Sequence, residues 1–227
     1  MAIVETRELK KTYRQGRLEV HALQGVDLKI EPGEFTVLMG PSGCGKTTLL
    51  NIIGTLDAPT SGRVILEGSD VSQLSKTERA ALRLSRLGFV FQAYNLLPVL
   101  SAYENTEFVL LMRGVPTEER RASVMKILDE VGLSGMEDRR PNELSGGQQQ
   151  RVAVARAIVG EPALILADEP TANLDSRTAG ELISTMRRLN EEHGLTFLFA
   201  THDPDVMAQA RRIIRLVDGK IAEDKRQ

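Results

Sequence analysis

A chain of 227 residues, 41% hydrophobic and 26% charged, can build one large domain with an ordinary core, which excludes disorder as the main state. Its 29 basic and 31 acidic side chains leave a net charge of −2, so nothing electrostatic favours nucleic acid or an anionic membrane surface as the main partner. One cysteine excludes an internal disulfide framework, and the longest apolar runs (residues 108–112 and 163–167) fall far short of the roughly 20 residues of a bilayer span. The expectation is a chain of the reducing cytoplasm, with no leader and no direct membrane insertion.

Taken in chain order, residues 3–9, 20–30 and 35–39 read as strands, with Pro32 and Gly33 turning between the last two. Residues 47–53 open a helix and 62–66 read as another strand. Ser75 and Glu78 form a capping-box pattern that starts a helix running to Gly88. From about 93 to 144 the pattern is helical; Val124, Ile127, Leu128 and Val131 share a face that stops at Gly132. Residues 164–167 form a wholly apolar run, followed by a helix with Ala179, Leu182, Ile183, Met186 and Leu189 on one side. Residues 196–200 repeat the apolar run, a short helix follows, and 213–217 joins Ile221 through an Asp218-Gly219 hairpin turn. Apolar runs without alternation mean strands covered on both faces. The predicted fold is therefore α/β: a mostly parallel sheet, an N-terminal antiparallel β portion and an inserted helical portion.

Gly40-Pro41-Ser42-Gly43-Cys44-Gly45-Lys46-Thr47 matches the P-loop pattern, directly after a predicted strand and opening a helix. Glycines let backbone N–H groups surround phosphate oxygens, and the helix N-terminus adds partial positive charge. Lys46 suits the β- and γ-phosphates, and the Thr47 hydroxyl suits Mg2+. The strand at 164–167 ends in Asp168 and Glu169, carboxylates placed to hold Mg2+ and to orient or activate water. These two motifs alone fit a nucleotide hydrolase or a kinase. A third, Leu144-Ser145-Gly146-Gly147-Gln148, opens another helix N-terminus too close in sequence to Asp168 to fold back easily onto its own P-loop.

With that third motif the chain resembles the nucleotide-binding subunit of ATP-binding cassette (ABC) transporters over essentially its whole length, a P-loop NTPase core in one domain. The resemblance implies a core from residues 1–92 and 160–227 and a helical subdomain over about 93–159. It implies ATP and Mg2+ as cofactors. ATP would be bound by Tyr13 stacking on adenine, by residues 40–47 with Thr48, and by Ser145, Gly146, Gly147 and Gln148 acting on the γ-phosphate held by a second copy. Glu169 would be the general base, His202 would contact the γ-phosphate, and Gln92 would link Mg2+ (with Thr47 and Asp168) to a membrane partner. Asp175, after Asn173 and Leu174, would lie at the interface of a head-to-tail homodimer.

Residues 54–62 (Gly54 to Gly62, with Asp57 and Pro59) and 91–98 look like the lipoprotein-release and macrolide-efflux branch, in which ATP-driven motion passes through an FtsX-like integral membrane permease. Ala172 and Cys44 depart from the usual pattern without removing a chemical group. The apolar stretch 94–100 reads either as core of the helical insertion or as the permease docking surface. That role would place the chain peripherally on the inner face of a bacterial plasma membrane. A non-transport ATPase of the same family, a cell-division regulator or an iron–sulfur assembly subunit, shares every motif. Cys44 reads as a modifiable thiol or a variable position, His21 and His193 as surface histidines, and the Arg pairs at 120–121, 139–140 and 211–212 as solvated faces.

Overall fold

The computed structural model describes residues 1–16 and 18–227. Strand β1 (Val4–Gln15) pairs antiparallel with β2 (Leu18–Ile30), Val4 opposite Ile30, and on its other side with β4 (Ser61–Leu66), Val4 opposite Leu66. The two-residue strand β5 (Ser69–Asp70) completes this four-stranded sheet. β1 runs past the predicted end at Leu9 because Leu9 ends its buried part. Residues 10–14 continue the strand as a polar ribbon with Lys11 and Thr12 partly shielded, and the register with β2 shifts between Thr6 and Leu9, after Leu9 and after Lys11, so no alternation betrays it.

The second sheet has six strands in the order β10-β9-β3-β8-β7-β6. β3 (Phe35–Met39), β6 (Leu87–Phe91), β7 (Leu164–Asp168), β8 (Phe197–Ala200) and β9 (Arg212–Val217) run parallel, and β10 (Lys220–Arg226) pairs antiparallel at the edge. Successive residues along β7 serve opposite faces. Leu164 and Leu166 pack with α1 (Lys46–Ile53) and the antiparallel sheet, whereas Ile165 and Ala167 pack with the helices on the other side. Phe35 lies 5.5 Å from Phe197 and 4.5 Å from Phe199 between ring centroids, all fully buried, each worth about 1.5–3 kcal/mol of hydrophobic transfer.

Helix α2 (Lys76–Arg86) starts on the predicted capping box, with Ser75 Oγ accepting from the Glu78 amide and Glu78 Oε2 from the Ser75 amide. It stops at Arg86, short of Gly88, because the chain passes straight into β6, where Gly88 sits opposite Ile165. Helices α3 (Ala102–Met112), α4 (Thr117–Glu130) and α5 (Gly146–Ile158) fill the span between β6 and β7. α4 buries Val124, Ile127 and Leu128 and closes through Gly132 N–H to Asp129 O, 2.8 Å, as its periodicity predicts. Helix α6 (Ser176–His193) and the short α7 (Pro204–Gln209) flank β8.

Two of the arginines expected on solvated faces are not. Arg212 is 8% exposed, donating to both Asp224 oxygens (2.8 and 2.7 Å), Glu34 Oε2 (2.8 Å) and Lys29 O (2.7 Å). Arg120 donates to Glu107 Oε1 at 2.8 Å and to the Val115 carbonyl, both partners largely shielded. His21 and His193 stay at the surface, beside Thr12 Oγ1 and Glu130 Oε2 respectively.

Candidate functional site

The carboxyl ends of β3, β6, β7 and β8 meet along one edge of the sheet, where ligands of open α/β sheets gather. After β3, residues 40–45 loop into α1. Gly45 is the helix N-cap at φ 107°, and a Cβ there would stand 2.4 Å from the Ala22 carbonyl, so only glycine fits. No side chain caps α1, which leaves its first N–H groups to the loop. Lys46 Nζ folds onto the same loop, donating to Gly40 O at 2.8 Å and Pro41 O at 3.2 Å. Cys44 is 4% exposed and packs in the core.

Thr47 Oγ1 donates to Asp168 Oδ1 at 3.1 Å, joining the loop helix to the end of β7. Burial raises the Asp168 carboxyl above the ordinary range; Thr47 and Lys46 oppose that, and Glu169 adds to it. A hydroxyl and a carboxylate are hard oxygen donors of the kind Mg2+ takes alongside nucleotide phosphates. Among the described residues no cluster of three His, Cys, Asp or Glu side chains forms a metal cage of its own. The donor set fits a magnesium ion that completes its coordination with phosphate oxygens.

Glu169 follows β7 in the left-handed region, φ 47°, its amide bonded to Ala200 O at 2.8 Å. Its carboxylate is held at both oxygens: Thr201 Oγ1 donates to Oε2 at 3.0 Å, and His202 Nδ1 lies 2.8 Å from Oε1. Glu169 is largely shielded whereas His202 is three-quarters exposed, with 76% of its side chain open. The Asp203 amide donates to Thr201 Oγ1 (3.1 Å) and Thr171 donates to Asp203 Oδ2 (2.7 Å), which ties the loop after β7 to the loop after β8. Neither hydroxyl carries a motif, so sequence reasoning gave them no role.

Gln92 lies at the same edge, one residue past Phe91, which is paired with Asp168; its carbonyl accepts from Asn173 Nδ2 at 2.9 Å. Gln150 of α5, absent from the sequence reading, is fully buried. Its Nε2 donates to Pro170 O at 2.7 Å, next to Glu169, and at 3.4 Å to Phe91 O, next to Gln92. Its Oε1 has no partner among the described residues.

Ser145 caps α5 in a capping box with Gln148: Ser145 Oγ accepts from the Gln148 amide (3.3 Å) and Gln148 Oε1 from the Ser145 amide (2.9 Å). A Cβ on Gly147 would stand 2.3 Å from Thr178 Cγ2, so this turn lies against the start of α6. There Asp175 is the N-cap, accepting from Thr178 N (3.0 Å) and Oγ1 (2.7 Å), which holds its carboxyl below the usual range. Among the described residues no hydrogen bond joins residues 145–148 to residues 40–48. One chain gathers Lys46, Thr47, Asp168, Glu169, His202 and Gln92 at one edge and leaves the second anion-binding turn beside Asp175.

Tyr13 is 40% exposed on β1, its hydroxyl donating to Asp57 Oδ2 at 2.9 Å, with Thr48 of α1 beside it. Residues 94–100 divide: Leu97 and Val99 are 42% and 71% exposed, whereas Leu96 packs against the core. The loop is nonetheless fixed. Tyr94 and Asn95 are both left-handed, and Arg156 donates to their carbonyls at 2.9 and 2.6 Å. A groove of about 430 Å³ runs beside it, lined by Leu56, Leu84, Leu87, Phe89, Phe91 and Val109 among others.

The family model described as "ABC transporter" matches residues 23–172. A "Macrolide export ATP-binding/permease protein MacB" of Syntrophobacter fumaroxidans is 50% identical over 223 residues, 97% of this chain but 31% of that protein, so the chain spans about a third of it. A "Lipoprotein-releasing system ATP-binding protein LolD 1" of Rhodopseudomonas palustris is 47% identical over 94% of this chain and 96% of its own length. The dimeric post-hydrolysis structure of the ATP-binding cassette MJ0796, bound to ADP and Pi, superimposes with a TM-score of 0.90 at 43% identity over 98% of both chains.

Proposed function

The chain belongs to the ABC transporter family, and from that premise we propose that it binds and hydrolyses ATP as one of two head-to-tail copies that drive a separate membrane permease. The observation that carries the reading is Glu169, fixed at both carboxylate oxygens beside the Thr47–Asp168 pair. A carboxylate so placed accepts a proton from, or orients, the water that attacks the γ-phosphate.

The loop amides and the N-terminus of α1 take the phosphates, and Lys46 exchanges the Gly40 and Pro41 carbonyls for phosphate oxygens. Thr47, Asp168 and Gln92 would hold Mg2+, which supplies charge neutralisation at the β- and γ-oxygens. His202 donates to Glu169 through Nδ1, and Nε2 donates to the γ-phosphate when both ring nitrogens carry protons. Ser145, Gly146, Gly147 and Gln148 serve the ATP of the second copy, and Asp175 beside them lies at the shared boundary. The MJ0796 dimer supports this two-fold arrangement.

The likeness to lipoprotein-release and macrolide-export proteins supports a permease of that mechanotransmission type. Among the described residues no helix is long and apolar enough to cross a membrane, so the spanning segments of such a machine lie outside these helices. The groove beside residues 94–100, with Leu97 and Val99 exposed, suits a short amphipathic permease helix and favours transport over a free-standing scaffold.

Phosphate release measured against protein concentration tests the paired site. A rate rising with the square of concentration at high dilution is expected, and a strictly linear rate would sink it. Recovery of an integral membrane protein with the tagged chain from detergent extracts tests the permease.

A further inference from the structure

The stretch 54–62 has no part in the phosphate chemistry, yet it converges on Tyr13. Asp57 is shared by three donors: Tyr13 Oη at 2.9 Å on Oδ2, and Lys11 Nζ at 2.8 Å with the Ala58 amide at 2.7 Å on Oδ1. Lys11 also donates to Ala58 O at 2.7 Å, and its ammonium stands over the Tyr13 ring, 4.8 Å from the centroid. The lysine side chain is only 13% exposed, so this is a shielded knot, unlike a frayed surface ion pair. Asp57 is in turn anchored to the helix that carries the phosphate loop, because its amide and that of Leu56 donate to Asn51 O at 3.2 and 2.8 Å. Thr60 closes the seam from below, accepting from the Thr12 amide at 2.9 Å.

We infer that Asp57 is a positioning residue for the nucleobase: it fixes the Tyr13 ring at a set distance from the phosphate loop, while Lys11 covers one ring face and leaves the other for a stacked purine. The inference rests on the reading of Tyr13 as the adenine platform. A pre-set platform lowers the ordering cost of binding and leaves the chemical step alone. The phosphates alone gain nothing from it.

The test compares Asp57→Asn, Tyr13→Phe, their double variant and Tyr13→Ala, in steady-state ATP hydrolysis and in inhibition by inorganic tripolyphosphate. Asp57→Asn and Tyr13→Phe are each expected to raise KM for ATP about fivefold, the effect of one hydrogen bond, with kcat and tripolyphosphate inhibition unchanged. The double variant should match either single one. A KM unmoved by Asp57→Asn, when Tyr13→Ala raises it, overturns the positioning role alone. A KM unmoved by Tyr13→Ala overturns the adenine-platform reading beneath it. Parallel loss of tripolyphosphate affinity in Asp57→Asn also overturns the proposal, since that marks damage to the loop itself.

Discussion

His202 Nδ1 lies 2.8 Å from Glu169 Oε1, so the imidazole on one loop and the carboxylate on another form a single unit before any nucleotide arrives. With Thr201 on the second oxygen, the rotamer of Glu169 is already chosen. Its left-handed backbone, φ 47°, is a conformation a non-glycine residue keeps only when its surroundings hold it.

Glu169→Gln preserves the shape and the Thr201 bond but removes the base. Hydrolysis should fall about 10²–10⁴-fold while ATP still binds, and an ATP-bound dimer should accumulate in gel filtration. Turnover at the native rate in this variant contradicts the assigned role.

Lys46→Ala acts one step earlier. Without the ammonium that now caps Gly40 O and Pro41 O, affinity for a fluorescent ATP analogue should drop about 100-fold or more, and no ATP-dependent dimer should form. A retained dimer would separate dimer formation from the phosphate loop.

Leu97→Asp places a charge on the exposed stretch beside the groove. Basal ATPase and dimer formation should stay within about twofold of native, and stimulation by the copurified permease should disappear. Equal loss of basal and stimulated activity would mean that the loop supports the fold instead.

Gln150→Leu removes the donor to Pro170 O from a fully buried position. Leaving that carbonyl unpaired should cost about 1–3 kcal/mol in urea unfolding. Because Pro170 follows Glu169, kcat should fall more than KM changes; an unaltered kcat would reduce Gln150 to packing.

Arg212→Leu tests the edge of the sheet. Arg212 holds the Asp224 carboxyl below the ordinary range, mainly through the bonds to its two oxygens, so the pair stabilises the fold fully above about pH 4 and loses that contribution as pH falls through the lowered native value. At pH 7 the variant should lose about 1–3 kcal/mol, because the shielded Glu34 and the 40% exposed Asp224 lose a charged hydrogen-bond partner. The gap between the urea midpoints of the two proteins should narrow progressively as pH falls below about 4.

The site was legible where chemistry demands a fixed spacing along the chain. Lys46 and Thr47 follow their glycines directly, and Asp168 and Glu169 end an apolar run of the kind a covered strand must show. Elements that carry no punctuation were hidden. β6 went unseen because α2 runs into it without a glycine or proline between Arg86 and Leu87, and Gly88 reads as a helix stop when it is a strand residue. Arg212 looked solvated because its partners Glu34 and Asp224 are distant or on another strand. The roles of Thr201, Gln150 and Asp57 escaped for the same reason: each acts through a partner 20 to 44 positions away, and no local periodicity encodes such a bond.

The alternation along β7 makes the parallel sheet a partition wall. Leu166 belongs to the compartment that holds the phosphate-loop helix, and its neighbour Ile165 to the compartment of α4, α5 and α6. A side-chain change on one side of the wall has to travel through backbone to be felt on the other. The groove beside residues 94–100 is the exception, since Leu87 and Phe89 come from the phosphate-loop compartment and Val109 and Ala157 from the other, so anything seated there touches both compartments at once.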